Sequence, residues 1–387
     1  MKILGLGVAH DSSVCVLDNG NIVYYLKEES LTNDKRDSLP VKTMVDAVAK
    51  QMPIDVIAYS SPTLDLGEAF SRNSLKVFSQ KIAEADIVDY ADSHHLCHAS
   101  HAFYDSGFDE AYNVVIDCQG SIMYDSKSDI FEGRETESIY EASYPAKFEK
   151  IATNPVHWFG ITRLYTVVSN IIGENDLENG KTMGLSAYGK DNNKYITNAP
   201  SFFNGWLVNK YQDIEPCIIP AGEFHRPVKE HEKRGENWRD ELRPELQFTL
   251  DNIIKDLPML DWGEMASVKV DYQEYANLAK KMQKESEDAV LNFVYEHCDF
   301  KACKNITFSG GYALNCLANF RYTQELPPDV NIFIQPVADD AGVSVGAAKH
   351  LWHTKSSDMT KRPLNNIYQG GMTWDLSQLE DYLRMNT

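Results

Sequence analysis

Short apolar strands alternate with amphipathic helices near both ends of this chain, and that alternation constrains its fold more than any other feature. The pattern predicts strands at 2–8, 14–17, 22–26, 56–59, 87–90, 112–117, 305–308 and 331–334, and helices at 42–51, 95–105, 161–172, 273–297, 312–320 and 342–352. Asn19-Gly20 between two β-branched runs predicts a hairpin. The sequence therefore predicts an α/β protein whose two halves form a duplicated fold around a central cleft.

The composition narrows the classes of partner. The chain has 387 residues and a net charge of −20, from 37 basic and 57 acidic side chains. That charge argues against a nucleic-acid partner, which needs a basic face, and suits a small substrate or a nucleotide. Because no apolar run is long enough to span a membrane and Met1 leads directly into a strand, we expect a cytoplasmic protein.

Two stretches differ from the α/β pattern. Residues 190–265 are rich in Asn, Pro, Trp and mixed charge, with weak periodicity. They are predicted to be an insertion between the two halves, either a cap that sets substrate specificity or a packing appendage. Residues 356–387 read as the start of a C-terminal domain that is mostly absent, so that 1–355 would be the main domain.

A histidine pair and carboxylates that follow strands are the strongest chemical signal. His94 and His98 are four residues apart, so on a helix they project from one face and could bind a single cation. Asp117 closes an apolar strand, and Asp339 follows another one near the C-terminus. Open α/β sheets bind ligands at the carboxyl ends of their strands. A histidine pair alone is more often a packing feature than a metal site, and His95 and His101 are expected either to pack or to support the ligands from behind, and not to be ligands themselves.

Four segments with glycine predict a cleft in which a nucleotide approaches the backbone closely. Among their residues, Ser12, Gly310 and Gly311 are candidates for contact with the nucleotide. Each segment alone is weak, because glycine also marks ordinary turns. The chain carries no P-loop and no GxGxxG after its first strand, so neither a Walker-type NTPase nor a dinucleotide enzyme is favoured.

These residues also carry a family resemblance. Five motifs stand in the order found in the O-carbamoyltransferases, namely His10-Asp11-Ser12-Ser13, His94-His95-Leu96-Cys97-His98-Ala99, Gly180-Lys181-Thr182-Met183-Gly184-Leu185, Ser309-Gly310-Gly311-Tyr312-Ala313-Leu314-Asn315-Cys316 and Asp339-Asp340-Ala341-Gly342. The chain resembles this family, which includes nodulation-factor and antibiotic-tailoring enzymes, over about residues 2–352. The family's catalytic domain is similar to tRNA threonylcarbamoyltransferase and has the actin-like ATPase fold. One departure is Cys118, where the family usually has glycine after the aspartate.

The resemblance implies a reaction in two stages. A C-terminal domain makes carbamoyl-adenylate from carbamoyl phosphate and ATP with Mg²⁺, and the actin-like domain transfers the carbamoyl group to a substrate hydroxyl. It further implies that His94, His98, Asp117 and Asp339, with Asp340 as the rival to Asp339, bind one divalent metal. Fe²⁺ is the first expectation, with Mn²⁺ or Zn²⁺ as alternatives. By the same resemblance, His10 and Lys35 lie beside the transferred group as catalytic residues, with a solvated loop lysine as the alternative for Lys35. The resemblance also matches Gly120, Lys181, Gly184 and Asn315 to segments that contact the adenosine and ribose.

The alternatives are a tRNA threonylcarbamoyltransferase, a non-catalytic nucleotide-binding scaffold and, less favoured, a sugar kinase. The acidic charge and the residues of the Gly-Lys-Thr-Met-Gly-Leu motif disfavour a tRNA threonylcarbamoyltransferase. A complete set of metal ligands disfavours a scaffold, and a sugar kinase binds Mg²⁺ without a histidine pair. The acceptor, whether a sugar, an antibiotic or a nucleotide, is left open, as is a separate chain that supplies carbamoyl-adenylate.

Overall fold

The computed structural model describes residues 1–62, 66–124, 131–156, 160–172, 174, 178–190 and 272–365. The predicted insertion at 190–265 lies outside these residues from 191 onward, and so does the C-terminal stretch beyond 365. The predicted domain boundaries therefore stay predictions. Among the described helices, none is both long enough and apolar enough to cross a lipid bilayer.

The N-terminal half is built on a five-stranded sheet. Its strands are β1 (Lys2–Gly7), β2 (Ser13–Asp18), β3 (Asn21–Lys27), β4 (Val56–Ser60) and β5 (Asp86–Asp89). Their order is β3-β2-β1-β4-β5; β2 is antiparallel to both β3 and β1, whereas β4 and β5 are parallel to β1. Asn19 and Gly20 both have positive φ in the turn between β2 and β3, which confirms the hairpin that Asn-Gly predicts.

The C-terminal half is built on a six-stranded sheet. Its strands are β6 (Glu110–Ile116), β7 (Ile122–Tyr124), β8 (Phe131–Ser143), β9 (Lys147–Val156), β10 (Asn305–Ser309) and β11 (Asn331–Ile334). Strands β6, β8 and β9 pair antiparallel in that order, and β10 and β11 continue parallel to β6 on its other side. Strand β7 pairs with the beginning of β8.

The two sheets share one strand order. Strands β9-β8-β6-β10-β11 of the second sheet repeat the order and directions of β3-β2-β1-β4-β5 in the first. The predicted duplicated α/β architecture of the actin-like ATPase fold is therefore confirmed. In both sheets the parallel strands end on the side where the motif residues follow them, which brings those residues to one region.

Helices join the strands within and between the halves. They are α1 (Glu29–Thr32), α2 (Val41–Gln51), α3 (Leu66–Ala83), α4 (His94–Ser106), α5 (Ile161–Ile172), α6 (Asn179–Ser186), α7 (Tyr272–His297), α8 (Cys316–Glu325) and α9 (Val343–Lys355), with single 3₁₀ turns at Ala91–Ser93, Gly311–Leu314 and Asp340–Gly342. The helix predicted at 312–320 is wrong in its boundaries. A 3₁₀ turn comes first, and α8 begins after Asn315, whose side chain caps it.

Helices α4 and α9 connect the two halves by crossing between them. α4 follows the first sheet but packs on β6, β8 and β10, whereas α9 follows the second sheet and packs on β1, β2 and β4. The two helices also contact each other so closely that a Cβ at Gly346 would lie 1.9 Å from the Cys97 carbonyl oxygen. The N-terminus of α4, with its histidine pair, is consequently held between the two sheets.

Candidate metal centre and active-site cavity

Two histidines and two aspartates converge where the halves meet. One ligand atom from each of His94, His98, Asp117 and Asp340 lies within 4.8 Å of all the others, and all four residues are buried. The Nε2 atoms of His94 and His98 and the Oδ1 atom of Asp340 are 3.2 Å from one another. Oδ2 of Asp117 is 3.6 Å from the His94 Nε2.

These distances fit a single metal ion. Atoms bound at about 2.1 Å to one ion, with about 100° between the bonds, are about 3.2 Å apart, which is the side of the observed triangle. A face of two imidazoles and one carboxylate is typical of divalent transition metals, and the second carboxylate adds a hard donor. The donor set therefore fits the metal that the sequence predicts, although it does not identify the ion.

The fold holds each ligand by its own element. His94 and His98 occupy one face of the first turns of α4, and the His94 backbone N–H donates to Ser121 Oγ at 3.1 Å. Asp117 follows β6, and its Oδ1 accepts from the Gly311 N–H at 3.1 Å, so that Oδ2 is left for the cluster. Gly310 makes that approach feasible, because its φ is +84° and a Cβ there would lie 2.4 Å from the Ile116 carbonyl oxygen.

The adjacent acids Asp339 and Asp340 point in different directions. Asp339 Oδ1 accepts from the Ala341 N–H, and its Oδ2 is 3.9 Å from Lys27 Nζ. Asp340 is the carboxylate that contacts both histidines. The structure therefore corrects the choice between them: Asp340, the rival, lies with His94, His98 and Asp117, and Asp339 does not. A 3₁₀ turn that begins at Asp340 puts consecutive side chains on different sides, which spacing alone could not reveal.

His10 connects the cluster to the surface. Its Nδ1 is 2.9 Å from Asp11 Oδ2, so Nδ1–H donates to that carboxylate, and its Nε2 is 3.7 Å from Asp340 Oδ2. Burial lowers the pKa of His10, but Asp340 and the bond to Asp11 outweigh it and raise the pKa to about 9. Asp11 is itself fixed by Lys27, whose Nζ donates to Asp11 Oδ1 at 3.0 Å.

Opposing effects also act on the pKa values of the cluster. Burial lowers the pKa of His94, yet Asp340 and Asp117 raise it to about 10. Burial and Asp340 oppose ionisation of Asp117, but His94 and His98 hold its pKa at about 2. His95 differs, because burial lowers its pKa to about 4 and its Nδ1 contacts Ser138 Oγ at 2.8 Å. His95 is thus a neutral packing residue, as expected.

A cavity of about 390 Å³ lies against the cluster, and Asp117 belongs to both. Its size falls in the range of small-ligand sites. Residues of both halves line it: His10, Asp11, Lys27, Glu29, Lys35, Arg36, Asp117, Cys118, Thr162, Tyr165, Asn179, Gly180, Met183, Gly311, Tyr312, Leu314, Asn315 and Asp339. The candidate catalytic residues His10 and Lys35 thus face the same space as Gly311 and Asn315.

Other predicted nucleotide-binding residues lie elsewhere. Ser12 Oγ donates to the Asp37 carbonyl at 2.7 Å, and Gly120 packs against His95, which a Cβ would meet at 2.6 Å. Lys181 is exposed and paired with Glu174 and Glu178, and Gly184 has open space around it. These residues and Gly310 are not in the cavity lining, and their role in nucleotide binding stays a prediction.

Sequence reasoning missed several lining residues. Lys27 ends β3 and pairs with Asp11, Glu29 and Asp339, but a lysine at the end of an exposed strand carries no distinctive signal. Thr162 and Tyr165 are on α5, whose apolar pattern predicts only a core helix. Lys27 lies opposite Ser13 in the hairpin, but a register shift between Val16 and Leu17 means that the Asn-Gly turn alone does not predict this position.

The duplicated fold places the buried two-histidine, two-carboxylate cluster and the adjoining cavity, a candidate ligand site, at the junction of its two halves. Residues 66–349 match the profile of the family described as carbamoyltransferase N-terminus, and the chain belongs to that family.

Three curated proteins are similar to this chain in sequence. The chain is 25% identical to the uncharacterized protein sll1178 of Synechocystis over 93% of its own length and 59% of that protein. It is 23% identical to the nodulation protein NolNO of Sinorhizobium fredii, over 72% of this chain and 33% of NolNO. It is 26% identical to the uncharacterized protein MJ1058 of Methanocaldococcus jannaschii, over 73% and 39%. The chain thus spans less than two thirds of the length of these relatives.

Solved structures resemble the chain more remotely. Full-length HypF in a phosphate- and nucleotide-bound form aligns with 93% of this chain and over 56% of its own length, at 12% identity and a TM-score of 0.46. The activator of 2-hydroxyisocaproyl-CoA dehydratase from Clostridium difficile, with bound ADPNP, aligns with 92% of this chain and over 95% of its own length, at 11% identity and a TM-score of 0.44. At this distance the duplicated strand order is what defines the fold.

Proposed function

We propose that this chain is the carbamoyl-transfer domain of an ATP-dependent O-carbamoyltransferase. It would pass the carbamoyl group of carbamoyl-adenylate, made from carbamoyl phosphate and ATP, to a substrate hydroxyl. The observation that carries the proposal is the cluster of His94, His98, Asp117 and Asp340 beside a cavity lined by His10 and Lys35. Membership of the carbamoyltransferase family supplies the reaction class.

The metal's part is limited to one role. A divalent ion held by His94, His98, Asp117 and Asp340 would bind a phosphate oxygen and act as a Lewis acid toward the leaving group. In the transfer, the acceptor oxygen bonds to the carbamoyl carbon, and the bond from that carbon to the phosphate oxygen of AMP breaks. AMP leaves with the electron pair, and the hydroxyl proton passes to a base.

The residues at the cavity suit the other parts of the reaction. Because Nδ1–H of His10 is donated to Asp11, Nε2 is the atom left to hydrogen-bond the carbamoyl group or, once a divalent ion offsets the charge of Asp340 that raises the pKa of His10, to take the acceptor's proton. Lys35 lines the cavity on the same side and would neutralise charge that develops on the carbamoyl oxygen. Gly311 and Asn315 line the opposite side, contributed by the second half, and would contact the nucleotide.

The test is a comparison of two donors. The metal-loaded chain is given carbamoyl-adenylate, or carbamoyl phosphate with ATP and Mg²⁺, with a panel of sugars, aminoglycosides and nucleosides, and AMP and carbamoylated products are measured. Transfer from carbamoyl-adenylate that falls by more than about 100-fold in Asp340→Asn is the expected result. The control is His297→Ala on α7, which should transfer as the wild type does. Nucleotide binding without transfer from either donor would favour a scaffold instead.

A further inference from the structure

A chain of hydrogen bonds runs behind the cavity wall that the second half contributes. Asn315, the residue before α8, lines the cavity, and so does Tyr165 of α5. Both contact the side chain of Gln283, which is buried on α7 and is not part of the lining. No candidate motif contains Gln283, and nothing in its neighbourhood of the sequence marks it as part of a site.

The orientation of the Gln283 amide follows from its partners. Glu287 lies four residues further along α7, and its Oε2 is paired with Arg321 Nη1 at 3.1 Å. Its Oε1 accepts from Gln283 Nε2 at 2.6 Å. An ionised carboxylate can only accept hydrogen bonds, so the nitrogen of Gln283 must face Glu287 and its oxygen must face the other way.

That orientation dictates what Asn315 and Tyr165 can offer. The second hydrogen of Gln283 Nε2 is donated to Asn315 Oδ1 at 3.0 Å, and the same oxygen accepts from the Ala318 N–H at 3.1 Å. Gln283 Oε1 accepts from Asn315 Nδ2 at 2.9 Å and from the Tyr165 hydroxyl at 2.8 Å. Both lone pairs of the Asn315 oxygen are thereby used, and so is the only hydrogen of the Tyr165 hydroxyl.

One donor and one acceptor remain for a ligand. Asn315 keeps its second amide hydrogen, and Tyr165 keeps the lone pairs of its oxygen. We infer, on the basis of the proposed function, that Gln283 is a positioning residue that fixes Asn315 as a donor and Tyr165 as an acceptor toward the bound nucleotide. The ligand group that matches this wall carries an acceptor and a donor, as a ribose hydroxyl or the amine-bearing edge of adenine does.

Gln283→Glu reverses this polarity without changing the size of the side chain. The new carboxylate would present an oxygen to Glu287 Oε1 and to Asn315 Oδ1, where Gln283 Nε2 now donates. Because two oxygens cannot hydrogen-bond without a proton between them, the Asn315 amide would turn away from its present orientation. In Gln283→Glu/Glu287→Gln the exchanged pair regains its internal hydrogen bond, and the new glutamine can still accept from Arg321. The control Gln80→Glu makes the same charge change on the exposed side of α3.

Titration calorimetry of the full metal-loaded chain with AMP, 2′-deoxy-AMP, 3′-deoxy-AMP and IMP tests the inference. We expect Gln283→Glu to bind AMP about 10- to 100-fold more weakly, because one or two hydrogen bonds are lost. We expect the double variant to bind AMP as weakly as Gln283→Glu, because position 283 still presents an oxygen to Asn315 Oδ1 although its repulsion with position 287 is relieved, and we expect Gln80→Glu to bind as the wild type does. The analogue that loses least in Gln283→Glu relative to the wild type identifies the group at the wall, a hydroxyl or the amine.

The outcomes separate this inference from the proposed function. Unchanged AMP affinity in a folded Gln283→Glu, or wild-type affinity in the double variant, would overturn the role of Gln283 and leave carbamoyl transfer untouched. Wild-type chain that binds no adenine nucleotide would overturn both. If Gln283→Glu does not fold, Gln283→Met keeps the volume. Gln283→Met should reduce the ratio of the affinity for AMP to the affinity for one of the three analogues. Unchanged affinity ratios for all three analogues would overturn the inference.

Discussion

Helix α4 carries two polar clusters, and they are built on opposite principles. At its start, His94 and His98 contact Asp340 and Asp117. At its end, His101 and Asp105 meet Lys349 of α9 and Gln335 after β11. Both clusters are buried and both use a pair of residues four apart. They differ in whether a lysine balances the carboxylates.

The second cluster is complete in itself. Lys349 Nζ donates to Asp105 Oδ1, and Oδ2 accepts from His101 Nε2 at 3.1 Å and from Gln335 Nε2 at 2.8 Å. In the first cluster, the two carboxylates contact imidazoles and the Gly311 N–H, and across the described ranges no lysine or arginine pairs with Asp117 or Asp340. A buried charge needs a compensating partner. Among the described residues, only protonated imidazoles can balance these carboxylates, which is why the pKa of His94 is raised; a divalent ion bound by the neutral imidazoles would take the place of those protons, and this is the physical reason for proposing a metal there.

Removal of a histidine should produce the largest difference between the two clusters, and that difference is in metal binding. We expect His94→Ala and His98→Ala each to weaken binding of a divalent ion by more than about 100-fold, because each deletes a direct ligand. Metal analysis after dialysis measures this. The matched variant His101→Asn, one turn further along α4, should keep its metal; equal loss in all three would mean that the helix, and not the ligand set, governs binding.

Lys349→Met should have the largest effect on stability. It leaves Asp105 buried without its cation, which typically costs about 3–5 kcal/mol in the free energy of unfolding. Urea denaturation monitored by circular dichroism measures the loss, with metal content expected to be unchanged. In Asp105→Leu/Lys349→Met both partners are apolar, and we expect part of the stability to return. A Lys349→Met protein as stable as the wild type would show that the second cluster contributes little.

Substitution of the two neighbouring acids sharpens the ligand assignment. Asp339→Asn should keep its metal and lose about 1 kcal/mol or less in stability, because the contact of Asp339 with Lys27 is partly exposed. Asp340→Asn should lose its metal. The comparison uses the same dialysis and metal analysis for both variants. The opposite result, with metal lost only in Asp339→Asn, would restore the ligand set that the motif first implied.

Acid titration should produce the smallest difference. Burial raises the pKa of Asp105, but Lys349 and His101 outweigh it and hold that pKa below its ordinary value. A depressed pKa in the folded state stabilises the protein above about pH 4 and stops doing so as the pH falls further. The stability advantage of the wild type over Asp105→Asn should therefore shrink below about pH 4. An advantage that stays constant down to pH 3 would contradict this.

Much of the fold could be predicted from local patterns. Strand residues 331–334 and helix residues 161–172 have the boundaries that the sequence predicts, because apolar periodicity marks each element. The pairing of β8 with β6 and β9 could not be read in this way. These antiparallel strands carry buried polar residues such as Glu137, whose Oε1 accepts from the Ile161 N–H at 2.7 Å, and such residues hide the apolar alternation.

The site could be predicted only where residue types are distinctive. His94, His98 and Asp117 were found because histidine pairs and strand-end carboxylates are rare enough to stand out. The choice of Asp340 over Asp339 depends on the φ and ψ of one turn, and the role of Gln283 depends on which partner fixes its amide. Both are set by tertiary contacts between elements far apart in the chain, so neither leaves a trace in local spacing.

The most direct test of the metal centre is the X-ray absorption spectrum of the chain loaded with one divalent ion, Fe²⁺ first and then Mn²⁺ and Zn²⁺. We expect nitrogen and oxygen ligands at about 2.0–2.2 Å from the metal, with the scattering pattern of two imidazoles, and we expect that pattern to be lost in Asp340→Asn. A chain that binds none of the three ions, or a spectrum without imidazole, would contradict this expectation.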